Sequence, residues 1–86
     1  MRDPAPDDWR RHGQERYLRG LTFTLLEWTP ARPGWDHDHC EFCNAKFSDA
    51  GASLRAGYAT EDRYRWICPA CYADFWREFG WAPPAT

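Results

Sequence analysis

Cys68-Pro69-Ala70-Cys71-Tyr72-Ala73-Asp74-Phe75-Trp76-Arg77-Glu78-Phe79-Gly80 carries two messages at once. Tyr72, Phe75, Trp76 and Phe79 recur at i, i+3, i+4 and i+7, with Asp74, Arg77 and Glu78 on the other side, which is the period of an amphipathic helix. Pro69 suits the first turn, where a missing N–H costs nothing, and Gly80 suits the end, with Pro83 and Pro84 barring continuation. The same run opens on a Cys-x-x-Cys pair. Its sulfurs lie where the unpaired N–H groups and the positive end of the helix dipole favour thiolate over thiol.

Upstream, Cys40-Glu41-Phe42-Cys43 is a second pair, separated from the first by 24 residues. Two residues between cysteines let a tight turn aim both sulfurs at one point, and two such turns close a tetrahedron at about 2.3 Å from sulfur to metal. Cys40, Cys43, Cys68 and Cys71 are therefore the expected ligands of one structural ion, with Zn2+ expected and iron the chemical alternative. Disulfides are the competing reading, but the N-terminus lacks the apolar stretch of a secretory signal, and reduced thiols in a cytoplasmic chain are expected. Trp66-Ile67-Cys68-Pro69-Ala70-Cys71 superficially resembles a thioredoxin active site, without the βαβ pattern around it.

Between the pairs, residues 57–60 and 63–67 read as two short strands of a hairpin, with Tyr64 and Trp66 on one face by period 2. Residues 21–28 favour a further strand through Thr22, Phe23, Thr24, Leu25 and Leu26, ended by Pro30, Pro33 and Gly34. A helix over about residues 9–18 is capped by Asp7 or Asp8 and interrupted by Gly13. Residues 1–8 read as a disordered lead-in, 9–82 as a single domain and 83–86 as a tail.

A knuckle, a β-hairpin, then a helix carrying the second ligand pair is the element order of a treble-clef zinc finger, which the chain resembles from Cys40 to Phe79. The resemblance implies a small α+β fold with a zinc-binding core, extended here by an N-terminal strand and helix. It implies no function, because such modules serve many roles. Asn44 stands where zinc knuckles commonly have Gly, and Asn tolerates the left-handed backbone needed there. The runs 35–43, Ala45-Lys46-Phe47-Ser48 and 57–81 also resemble an uncharacterised group of small bacterial proteins, some labelled ADP-ribosyl-(dinitrogen reductase) hydrolase. That label implies a large helical enzyme, a scaffold that 86 residues do not supply.

Small domains bury only about 60% of the surface their unfolded chains expose, so a bound metal is of use to a chain this short. Aromatic residues make up 17%, including six Trp, and supply large core area from few side chains. Net charge is -2, and four thiolates around a dication lower it by about two more. A chain of that charge lacks the concentrated basic surface of a nonspecific nucleic-acid binder. The exception is a strip of Arg10, Arg11, Arg16 and Arg19, diluted by Asp7, Asp8 and Glu15. It carries the alternative of a nucleic-acid-binding finger. Trp28, Trp35 and Trp81 sit at segment ends, where exposure would make a surface for a protein partner, so an interaction, accessory or immunity-type module is the leading expectation. No membrane association is expected.

Asp36-His37-Asp38-His39 is the other group with chemistry in it. It resembles the string of treble-clef nucleases of the recombination endonuclease VII type, where a His acts as base. Here it precedes both cysteine pairs, and the helix offers neither Asn nor His to complete such a site. Three roles follow: His37 and His39 as catalytic groups of a small hydrolase or nuclease, one of them replacing a Cys ligand, or all four residues orienting the first knuckle. The third is favoured, and no enzyme is expected.

Overall fold

In a computed structural model residues 4–85 are described, and of the lead-in expected over 1–8 and the tail over 83–86, residues 1–3 and Thr86 lie outside them. The elements in chain order are α1 (Glu15–Leu18), β1 (Thr24–Glu27), β2 (Asp38–His39), β3 (Lys46–Phe47), β4 (Ala56–Ala59), β5 (Trp66–Ile67) and α2 (Pro69–Phe79). The result is a small α+β fold. An antiparallel sheet of order β1-β4-β5 carries α2 against β4, and a separate two-stranded arm, β2-β3, holds the first cysteine pair at its tip.

The C-terminal helix forms as its period predicts. Cys68 is its N-cap, Pro69 opens the first turn, and Gly80 closes it at φ 74°. The Gly80 N–H donates to the Arg77 carbonyl at 3.3 Å and the Trp81 N–H to the Trp76 carbonyl at 2.9 Å, satisfying acceptors that a helix end leaves open. Its buried face is Cys71, Tyr72, Phe75 and Phe79.

Rings pack on that face in series. Tyr58 stacks on Tyr72 with centroids 3.7 Å apart, Tyr72 on Trp81 at 5.0 Å, and Phe42 on Phe75 at 4.5 Å. Each fully buried ring of this size contributes about 1.5–3 kcal/mol by area alone, which is how so short a chain assembles a core. Two polar edges are anchored: the Trp81 indole donates to the Leu18 carbonyl at 2.8 Å, and the Tyr72 hydroxyl to the Ala82 carbonyl at 2.7 Å.

Three expectations change. The helix over 9–18 shrinks to the single turn of α1, because Gly13 sits at φ 94° and Asp8 instead closes a tight turn, accepting the Arg10 N–H at 2.9 Å. The second hairpin strand, expected from residue 63, begins at Trp66. Asp62 takes the Thr60 hydroxyl at 2.6 Å and the Tyr64 N–H at 3.0 Å, and Arg63 adopts φ 59°, so residues 60–65 form a turn. Tyr64 and Trp66 consequently do not share a face: Tyr64 is exposed and Trp66 wholly buried. The strand over 21–28 is confined to Thr24–Glu27, flanked by buried Phe23 and Trp28.

β2 and β3 had no sequence signal beyond the cysteines between them. Within the arm the Cys40 N–H donates to the Ala45 carbonyl at 2.8 Å and the Asn44 N–H to the Cys40 carbonyl at 3.1 Å, with Asn44 at φ 68°. This is the turn for which Asn44 is suited. Cys40 bridges to Trp66 of β5, and the Glu41 N–H donates to the Trp66 carbonyl at 3.0 Å. Two residues beyond Trp66 the chain reaches Cys68, so this bridge is what draws the distant cysteine pairs together.

Candidate metal centre

The four cysteines are all free thiols, and their sulfurs lie within 4.8 Å of one another. The Cys43 and Cys68 sulfurs are 3.7 Å apart. A tetrahedron with bonds of about 2.3 Å has edges of about 3.8 Å, whereas a disulfide needs about 2.05 Å, so the spacing fits ligation and not a bridge. Cys40, Cys68 and Cys71 are buried and Cys43 is partly so. Neither His37 nor His39 joins the cluster, so neither takes the place of a cysteine.

Donors surround the sulfurs. The Phe42 and Cys68 N–H groups point at the Cys40 sulfur and the Cys71 N–H at the Cys68 sulfur, each at 3.4 Å. With protons in place of a cation, hydrogen bonds from the Cys68 and Cys71 thiols hold Cys40 far down as a thiolate, against the opposing cost of burial. Donating to Cys40 pushes Cys68 up to about 12 and raises Cys71 as well, with burial adding to both. Ligation by the other sulfurs releases their protons, so affinity falls as pH falls.

The fourth donor comes from far along the chain. Arg10 Nη1 lies 3.5 Å from the Cys71 sulfur and 2.9 Å from the Asp74 carboxylate, while Nε and Nη2 grip both oxygens of Asp8 at 2.9 Å. Its guanidinium also sits 4.7 Å from the Phe75 ring centre. Asp8 and the other partners hold Arg10 well above the usual guanidinium range, and Arg10 in turn holds Asp8 down to about 2. A carboxylate so lowered keeps this clamp above its ordinary titration range and loses it only as pH falls through about 2. A dication with four thiolates is net negative, and a guanidinium beside it offsets that charge. Arg10→Met keeps the stem and removes the charge; transfer of a metal ion bound by the four cysteines from this variant to a competing chelator is expected to run about ten-fold faster than from the parent. An unchanged transfer rate would confine Arg10 to holding the N-terminal segment.

That segment has a second anchor, one the sequence did not signal. Gln14 is only 1% exposed; its Nε2 donates to the Arg10 carbonyl at 2.6 Å and to the Glu41 carbonyl at 3.1 Å, and its Oε1 accepts the His12 N–H at 2.8 Å. Glu41 lies inside the first Cys-x-x-Cys. Residues 10–14 therefore touch both cysteine pairs.

Three arginines of the strip have partners within the chain. Arg11 pairs with Glu78 at 2.8 Å and lies 5.2 Å from the Phe75 ring centre, and Arg19 donates to the Glu78 carbonyl at 3.0 Å beside Phe79. With Arg10 these groups bind the chain to itself, although Arg19, like Arg16, is exposed. The expected tryptophan surface is likewise not assembled. Trp28 is 8% exposed and Trp81 4%, because both find buried polar partners for their indoles, and of the three only Trp35 remains half-open. Among the described residues the most exposed large ring is Trp9, at 72%. It borders a groove of about 350 Å³ with His12, Tyr17, His39 and Asn44, a placement for which its isolated position offered no pattern.

The acidic-histidine string divides by role. Asp38 is buried and accepts the Trp28 indole N–H at 2.9 Å, which holds β2 against the end of β1. Asp36 is exposed and meets His37 Nδ1 at 2.6 Å; His37 and His39 face one another with ring centres 4.9 Å apart.

The fold and cluster define a small α+β protein with four cysteines positioned to bind one metal ion. No protein-family model matches the chain, and comparison with curated proteins and with solved structures finds no match either. No helix among the described residues is long and apolar enough to cross a membrane.

Proposed function

We propose that this chain is a zinc-binding protein of the treble-clef type, in which the ion is structural and the surface around it engages another protein. The observation that carries the reading is the set of four cysteine sulfurs within 4.8 Å of one another, three of the residues buried, which is enough to fill a four-coordinate shell and would leave no position for a reacting water. Four thiolates in that geometry are the usual ligands of zinc. The treble-clef assignment is supported by the order of parts: a knuckle between β2 and β3, the β4-β5 hairpin, then α2 with Cys71 in its first turn. Free thiols suit a reducing cytoplasm.

For a protein partner the support is compositional and local. The chain is acidic, Arg10, Arg11 and Arg19 are engaged within it, and Trp9, Tyr17 and Tyr64 are exposed beside grooves. Aromatic side chains in such places dominate protein contacts, whereas phosphate binding needs free cations. An accessory or immunity-type role fits those features. Metal analysis of the purified protein is expected to give one zinc per chain. Chelation should abolish the cooperative melt and zinc should restore it; an apo protein that melts cooperatively near the parent temperature would refute a structural ion.

A further inference from the structure

The geometry points to a second metal site on the outer face of the arm, where His37 and His39 chelate a divalent transition-metal ion and Asp36 positions His37. Residues two apart in extended chain project to the same side, so His37 and His39, at the entry to β2, are neighbours by construction. Their rings do converge, 4.9 Å between centres and nearly perpendicular at 81°. That approach suits two imidazole nitrogens sharing one ion at about 2.0–2.1 Å.

Asp36 adds the feature that distinguishes a ligand histidine from a surface one. Its carboxylate oxygen lies 2.6 Å from His37 Nδ1, which fixes that nitrogen as the N–H and leaves Nε2 with its lone pair for a metal. Asp36 is thereby a positioning residue and not a third ligand. Among the described residues the ring of His39 has no hydrogen-bond partner, and Asp38, the other carboxylate of the string, is occupied by the Trp28 indole. The two rings border a depression of about 390 Å³ between Gly34 and His39. Trp35 lines it too. Two imidazoles and open positions suit borderline ions such as Ni2+, Cu2+ and Zn2+ and disfavour Mg2+ and Ca2+, which demand oxygen. This ion would differ from the one among the cysteines in being exchangeable and open to solvent.

Ni2+ serves as the probe, added to untagged zinc-loaded protein and followed by equilibrium dialysis from about 1 µM to about 1 mM, a range that spans two-histidine affinities. One Ni2+ per chain is expected in addition to the retained zinc. His37→Gln with His39→Gln should abolish its binding, Asp36→Asn should weaken it about ten-fold, and His12→Gln should leave it unchanged. In the parent, without any substitution, Ni2+ should broaden the ring resonances of His37 and His39 before that of His12. Retained zinc in each variant reports an intact fold. Absence of Ni2+ binding by the parent, undiminished binding by the double variant, loss in His12→Gln, or first broadening at His12 would each overturn the site.

Discussion

Cys68→Ser is expected to abolish cooperative folding at any zinc concentration. The substitution separates two roles held by one atom, since the Cys68 sulfur caps α2 by accepting the Cys71 N–H and lies 3.7 Å from the Cys43 sulfur in the cluster. Serine is among the best N-caps, so the capping role survives or improves. What is lost is a thiolate. Structural zinc supplies about 10–16 kcal/mol in small fingers, at least as much as the about 5–15 kcal/mol by which whole domains are stable. Near-UV circular dichroism during heating, in zinc-saturated buffer, is the measurement. If the serine variant melts within a few degrees of the parent, the cysteines matter through capping and packing, and the structural ion is refuted.

The second large effect is expected from a single methyl group. Gly57→Ala should cost about 3 kcal/mol, the upper end of overpacking penalties. A Cβ on Gly57 would stand 2.5 and 2.7 Å from two atoms of the Phe47 ring and 2.9 Å from the Ile67 carbonyl. None of these can retreat cheaply. Phe47 is wholly buried and packs on Trp66 at 5.3 Å, and Ile67 belongs to the ladder opposite Tyr58. The strand affected is β4, the middle of the sheet, so the strain reaches both neighbours. Thermal melts of zinc-loaded protein should show a fall of roughly 10–20 °C for a chain of this size. Shortening the ring tests the cause: Phe47→Leu should cost less in the Gly57→Ala background than alone. Strict additivity of the two changes would mean that the ring is not what the methyl meets.

Legibility in the sequence follows how local each cause is. The helix 69–79 is readable to the residue, because period, cap, proline and terminal glycine all act within one stretch. The cysteine cluster is readable because two-residue spacing is itself a geometric statement. Residues whose roles depend on distant partners are not. Arg10 looks like any exposed arginine until Asp74 and the Cys71 sulfur are brought beside it, and Gln14 has no mark of burial until Glu41 turns its carbonyl inward. Trp28 and Trp81 stand beside turn residues, where rings are expected to face outward, yet a buried carboxylate and a helix-end carbonyl give their indoles inner partners. Residues 63–65 pass for strand because Tyr64 favours strands on average, whereas the Asp62 side chain captures the backbone here and prolongs the turn.

The contacts of the N-terminal segment have a consequence for the order of events on the ribosome. Arg10 and Arg11 reach Asp74 and Glu78, the Gly20 N–H reaches the Phe79 carbonyl, and the Leu18 carbonyl takes the Trp81 indole. The segment synthesised earlier therefore has its partners in the segment synthesised later, and the four cysteines follow the same rule, with Cys71 arriving long after Cys40. The N-terminal segment has no native seat to occupy until α2 has cleared the exit tunnel, so its contacts beside the cysteine cluster are among the last to form.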